Sequence, residues 1–215
     1  MARRYDCTVA VDRATGLREA ASAVRRGNLV VLPTDTVYGI GADAFSPAAV
    51  GDLLAAKGRG RNMPSPVLIG SPTTLHGLVT DFHEKAWELV DAFWPGGLTL
   101  VARHQPSLTW DLGETRGTVA VRMPLHPVAL ELLKDVGPMA VSSANRSGHP
   151  SPQTCDAARD MLGDSVAVYL DGGPTPDAVP SSIVDVTGGV PVLLRAGAVS
   201  EEELRKVVPD LETPH

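Results

Sequence analysis

Aromatic side chains make up only 4% of the 215 residues, so aliphatic side chains must fill any core. The same scarcity leaves no ring-and-cation interleaving of the kind that stacks single-stranded bases. Two cysteines, Cys7 and Cys155, provide neither a disulfide framework nor a thiolate metal cluster. No apolar run approaches the roughly 18 residues that a membrane helix needs. No charged-then-apolar leader opens the chain either, so a soluble, cytoplasmic protein is expected. Positive charge is not in excess: the net charge is -6, which argues against a general nucleic-acid coat. There is no G-x-x-x-x-G-K-[ST] and no G-x-S-x-G, which excludes an ordinary P-loop and the serine-hydrolase elbow.

What is present is enough for a sizeable core, since 43% of the residues are hydrophobic. The charge is uneven along the chain. Residues 1–75 hold 9 Lys/Arg against 6 Asp/Glu, a net +3, while residues 76–215 hold 10 against 19, a net -9. An anionic ligand is therefore expected near the first third.

That third contains the most informative stretch, Val30 to Arg61. An apolar strand over Leu29–Leu32 ends at Pro33, and a loop, PTDTVYGIGAD, then carries Thr34, Asp35, Thr36 and Tyr38 among glycines. Ser46 and Pro47 suit the N-cap and first position of a helix whose apolar face is Val50, Leu53 and Leu54. Gly58 suits its end. Lys57, Arg59 and Arg61 follow, which reads either as a solvated basic helix end or, with Gly58 and Gly60 between the cations, as a phosphate-binding loop.

Elsewhere the periodicities predict strands at Tyr5–Val9 (an edge), Pro66–Ile69, Leu98–Ala102, Thr118–Arg122, Met139–Val141, Val166–Leu170, Ser182–Val186 and Pro191–Leu194. They predict helices over 16–26, from Ser71-Pro72, over Asp81–Trp94, His126–Leu133, 154–162 and 200–208. The acids Glu201–Glu203 complement the dipole of the last helix. Residues 103–117 read as a polar excursion, 142–152 as a polar loop and 172–180 as a turn-rich linker. Strands and helices alternate without a repeat, so one α/β domain with a mixed, twisted sheet is expected, with ligands at the strand ends.

Gly39-Ile40-Gly41-Ala42-Asp43-Ala44 matches the loose dinucleotide fingerprint but lacks its tight turn and the acid about 20 residues on. The serine loop SSANRSG (142–148) reads as a polar turn or as a cradle of donors for phosphate oxygens. Histidines 76, 83, 104, 126, 149 and 215 have no ligand spacing and read as surface or structural. Phe93, Trp87 and Trp94 read as core.

Seven blocks occur in one order: PTDTVYGIGADA (33–44), AKGRGRNMP (56–64), FWPGGLTL (93–100), TVAVRMPLHP (118–127), SSANRSGHPSP (142–152), SSIVDV (181–186) and LLRAGAV (193–199). Together they resemble the YrdC/TsaC family of L-threonylcarbamoyladenylate synthases. The resemblance covers about residues 15–208 and implies the short, single-domain form across 1–215, with a concave basic ligand groove. It implies condensation of L-threonine, bicarbonate and ATP, with Mg2+, to threonylcarbamoyl-AMP and pyrophosphate. Transferase-complex partners would then use the product on adenosine 37 of tRNAs reading ANN codons, and a tRNA contact is part of that expectation.

By position, Lys57 and Arg59 are implied as the catalytic cations on the ATP phosphates. Thr118, Ser143, Asn145, Ser151 and Arg195 are implied as further nucleotide contacts, and Thr36, Arg122 and Ser181 as the threonine pocket. No protein ligand for the metal is implied. Many relatives carry Pro at Gly60, Lys at Met63, Leu at Ser65 and His at Leu68, so contacts there depart from the pattern. The alternatives are a carbamoyl-adenylate-forming domain of the hydrogenase-maturation type, or an RNA-binding module without catalysis.

Overall fold

The computed structural model describes residues 2–176 and 179–214. Asp177 and Ala178 of the expected linker, and His215, lie outside them. In chain order the elements are Arg3–Asp6 (β1), Ala10–Arg25 (α1), Val30–Leu32 (β2), Gly39–Asp43 (β3), Pro47–Lys57 (α2), Val67–Leu68 (β4), Leu75–Leu78 (α3), Val79–Thr80 (β5), Glu84–Phe93 (α4), Leu98–His104 (β6), Thr118–Arg122 (β7), Pro127–Val136 (α5), Met139–Ser143 (β8), Cys155–Leu162 (α6), Val168–Asp171 (β9), Ser182–Asp185 (β10), Val192–Arg195 (β11) and Glu201–Val207 (α7). All the strands join one mixed sheet in the order β1-β9-β2-β3-β8-β4-β7-β6-β10-β11, with β5 on the flank of β6. Four pairs on this path are parallel (β1 with β9, β9 with β2, β4 with β7, β6 with β10) and the other five are antiparallel.

The period of two along each strand decides which faces are covered. In β2, Val30 and Leu32 join α1 and α5 on one face, while Val31 joins α2 and α6 on the other. This half is therefore helix on sheet on helix. In the other half, Leu98 and Leu100 of β6, Val119 and Val121 of β7, and Val184 of β10 pack with α4 and α7. Their alternating neighbours Thr99, Val101, Ala120, Arg122 and Ile183 face the opposite way and have no helix over them; they floor a groove.

Several sequence expectations shift. The edge strand is Arg3–Asp6 rather than Tyr5–Val9, and α1 starts at Ala10, six residues before the expected 16. The expected helix at Asp81 begins at Glu84 because Val79–Thr80 pairs with β6 and Asp81 turns at a φ of 51°. GIGAD is a buried strand rather than loop, antiparallel to both β2 and β8. Its glycines have a packing cause. A Cβ on Gly39 would lie 2.7 Å from Val141 Cγ1, and one on Gly41 2.7 Å from Met139 Cε. Trp94 is buried in the core and Trp87 and Phe93 pack against it. Both cysteines are buried and free. Among the described residues no helix is long and apolar enough to cross a membrane.

Candidate functional site

The uncovered half of the sheet forms a groove of about 700 Å³. Its floor is apolar (Leu68, Val101, Ala120, Val141, Ile183) and its walls carry hydroxyls from Thr34, Thr36, Thr99, Ser142, Ser143, Ser151 and Ser181. The charged lining residues are Arg59, Arg122 and Arg195, all cationic. A smaller concavity of about 380 Å³ near Gly27 and Ser165 has Asp52 as its charged lining residue and offers an anion nothing comparable.

Arg122 ends β7 with its side chain turned to the groove face, and it is only 6% exposed. Its Nε donates to Gly96 O (2.8 Å), Nη1 to Thr36 Oγ1 (2.9 Å) and Nη2 to Asp35 Oδ1 (2.5 Å). A guanidinium has five N–H groups, so one on each terminal nitrogen is left for a ligand. Burial pushes the Arg122 pKa down, and Asp35 opposes this. The loop presenting Thr36 is closed by Thr34, whose hydroxyl donates to Val37 O (2.6 Å) and accepts from the amides of Thr36 and Val37. Asp35 also accepts from Leu125 N (2.9 Å), tying that loop to the end of β7.

On the far wall, Arg195 donates through Nε and Nη2 to Ser181 O (3.0 and 2.7 Å), and Ser181 Oγ lies 2.8 Å from Thr99 Oγ1. Gly197 packs against this corner, where a Cβ would fall 2.3 Å from Pro180 O. On the near wall, Arg59 Nη1 donates to Ser142 Oγ (2.9 Å), while its buried Nε has no partner.

Seven of the ten residues expected from sequence line this one groove: Thr36, Arg59, Arg122, Ser143, Ser151, Ser181 and Arg195. Three do not. Thr118 lies on the same strand face as Ala120 and Arg122, two and four residues along, and its hydroxyl donates to Thr115 O. Lys57 and Asn145 are buried behind the serine loop. Lys57 Nζ donates to Ser143 O and to Asn145 O (2.7 Å), and Ser147 N donates back to Lys57 O (2.9 Å). Asn145 Nδ2 donates to Arg146 O and His149 O, and its Oδ1 has no partner. Residues not singled out beforehand for the site include Thr99, Val101, Ala120 and Ile183, which two-residue spacing along their strands would have placed beside Arg122 and Ser181.

Residues 22–197 match the model of the Sua5/YciO/YrdC family, described as Telomere recombination. The chain belongs to this family. It is similar to a Mycobacterium tuberculosis protein provisionally named threonylcarbamoyl-AMP synthase, 57% identical over 208 residues that cover 97% of this chain and 96% of the relative. It is 39% identical over 194 residues to the threonylcarbamoyl-AMP synthase of Bacillus subtilis, covering 89% of this chain and 56% of that one. A crystal structure of Pyrococcus abyssi Sua5 complexed with L-threonine superposes with a TM-score of 0.92 at 36% identity, over 100% of this chain and 62% of that chain. The chain thus spans less than two thirds of these last two proteins.

Two local features of this Sua5/YciO/YrdC-family chain have energetic consequences. Burial first, and the neighbouring Arg59 cation second, push the Lys57 ammonium down to about 8. Between Pro64 and Pro66, which line the groove, Ser65 is 3% exposed and its hydroxyl has no partner. A buried hydroxyl without a partner costs about 1–3 kcal/mol. Ser65→Ala should therefore raise the stability by about 1 kcal/mol, read as a higher urea midpoint at unchanged slope. A lower midpoint would show that the hydroxyl is bonded in solution.

Proposed function

We propose that this protein is an L-threonylcarbamoyladenylate synthase, condensing L-threonine, bicarbonate and MgATP to threonylcarbamoyl-AMP and pyrophosphate. The observation that carries this reading is the groove itself: three arginines and a ring of hydroxyls around an apolar floor, with Arg122 keeping one free N–H on each terminal nitrogen. The threonine-bound Sua5 relative supports the amino acid as ligand.

In this reading the Arg122 fork holds the threonine carboxylate, since planar paired donors match a carboxylate. Thr36 and Ser181 border it. The threonine ammonium gives one proton to bicarbonate, which dehydrates to carbon dioxide and water; the free amine attacks that carbon dioxide and releases a second proton to solvent, which makes an N-carboxylate. One oxygen of that carboxylate attacks the α-phosphorus of ATP; the bond to the β-phosphate oxygen breaks and pyrophosphate leaves. No side chain need act as nucleophile. Arg59 and Arg195 neutralise the phosphates from opposite walls, and Ser142, Ser143 and Ser151 offer hydroxyls to their oxygens. Groove donors of this kind suit phosphate oxygens rather than a cation, and among the described residues no cluster of His, Cys, Asp or Glu could hold a metal. Magnesium would enter with the substrate, as MgATP, and supply charge neutralisation there. The product, a mixed anhydride, passes to transferase partners in the cytoplasm that modify tRNA.

Pyrophosphate release from MgATP and bicarbonate tests this directly. Release should depend on L-threonine and fall sharply with serine. Release driven by carbamoyl phosphate alone, or none from folded protein, would overturn the reading.

A further inference from the structure

Arg61 is the third cation of the basic loop and stands two residues from Arg59, yet it does not line the groove. Its Nη2 donates to both carboxylate oxygens of Asp111 (2.8 and 3.0 Å), fifty residues away in the polar excursion. Its backbone carbonyl accepts from Glu114 N at 2.8 Å. Between these contacts, Gly113 adopts a φ of +106°, and a Cβ there would lie 2.7 Å from Arg61 O and 3.4 Å from Pro64 Cα. Only glycine permits both that conformation and that approach. Asp111 Oδ1 in turn accepts from Gly113 N (3.1 Å), which sets the carboxylate on its own turn.

We infer that the turn from Asp111 to Glu114 is a latch on the basic loop, and that Asp111, Gly113 and Arg61 are positioning residues that set Arg59 against the groove. A bland reading exists, because Arg61 and Asp111 are both substantially exposed and a lone surface ion pair contributes little. Three separate contacts on one residue, made by a turn that only glycine can form, are not a lone pair. The turn is also anchored. Leu112 is 1% exposed in the core, and Trp110 stacks on Phe45 with ring centroids 5.6 Å apart. The loop needs such support beyond Arg59, whose own amide is held by Leu54 O (2.8 Å), because Gly60 lets the backbone pivot there. In its own span the backbone bond is Met63 N to Gly60 O. A small displacement of a phosphate-facing cation costs binding and rate steeply.

The kinetic consequence rests on the proposed function; the latch itself does not. Four variants are compared with the parent: Asp111→Asn, Gly113→Ala, Arg61→Asp and the swap Arg61→Asp/Asp111→Arg. Amide hydrogen exchange over residues 58–64 should rise about tenfold or more in the three single variants, with β6 and β7 unchanged. ATP affinity by calorimetry, and KM for ATP in pyrophosphate release, should weaken about tenfold. KM for threonine should stay within about twofold, a substrate-selective loss that general destabilisation would not give. The charge swap should restore loop protection and ATP affinity together. Unchanged loop exchange in Asp111→Asn, faster exchange with unchanged ATP affinity, or a swap that restores neither would each overturn the latch. A parent protein that binds no ATP and releases no pyrophosphate would instead overturn the proposed function, with loop exchange alone then deciding the latch.

Discussion

Arg122→Ala should abolish threonine-dependent turnover and also destabilise the fold, and the two effects can be separated. The side chain holds three partners from three segments: Gly96 O, Thr36 Oγ1 and Asp35 Oδ1. Removing it leaves the Asp35 carboxylate, 17% exposed, without its cation. Breaking a buried pair in this way costs about 3–5 kcal/mol. It also removes the fork assigned to the threonine carboxylate, worth about 2–4 kcal/mol in the transition state. Arg122→Met/Asp35→Asn should recover most of the stability, because neither member is then an unpaired charge, while the KM for threonine stays raised about a hundredfold or turnover stays undetectable. Arg122→Lys should fall between, retaining the charge without the fork. Urea midpoints and threonine saturation curves for the set decide the matter. Threonine saturation that survives in the double variant would mean that the carboxylate is held elsewhere.

The parts of this site that sequence made legible are those governed by local chemistry. The strand at Thr118–Arg122 follows from its alternation, and the same alternation sends Arg122 away from the core that takes Val119 and Val121. The cap at Ser46 with Pro47, and the left-handed Gly58 that ends α2, are local signals and stand as expected. What sequence hides is set by partners far along the chain. Gly39 and Gly41 look like loop residues until Val141 and Met139, on a strand a hundred residues on, are laid across them. Lys57 looks like an exposed cation until its carbonyl partners, 86 and 88 residues away, enclose it. The polar run 103–117 carries little apolar periodicity, and its single core residue, Leu112, gives no hint that the turn beside it reaches Arg61.

That enclosure gives Lys57 a pH dependence with two opposite signs. Two carbonyl oxygens favour the proton on Nζ, while burial and Arg59 oppose it, and the balance lies at about 8. Above that pH the amine still donates to both carbonyls but no longer contributes charge behind the serine loop. Arg59, Arg122 and Arg195 remain cationic there, because guanidinium groups stay protonated in proteins. The value of kcat/KM for ATP should therefore decline with a midpoint near pH 8, by several-fold and at most about tenfold, because the lost charge acts from behind the serine loop and not from the groove. Stability should move the other way. The unfolded chain holds this proton up to the usual lysine value of 10.5, above the folded value of about 8, so it binds more protons across that window. Stability then rises with pH between those values, by roughly 3 kcal/mol at most. Lys57→Met should remove the pH limb from both curves, and its loss of both donors leaves the Ser143 and Asn145 carbonyls unpaired, lowering activity at every pH. Turnover and urea midpoints measured from pH 7 to 10 read both signs at once. Activity and stability falling together would indicate ordinary alkaline unfolding, and a flat activity profile would mean that the Lys57 charge takes no part in holding the nucleotide.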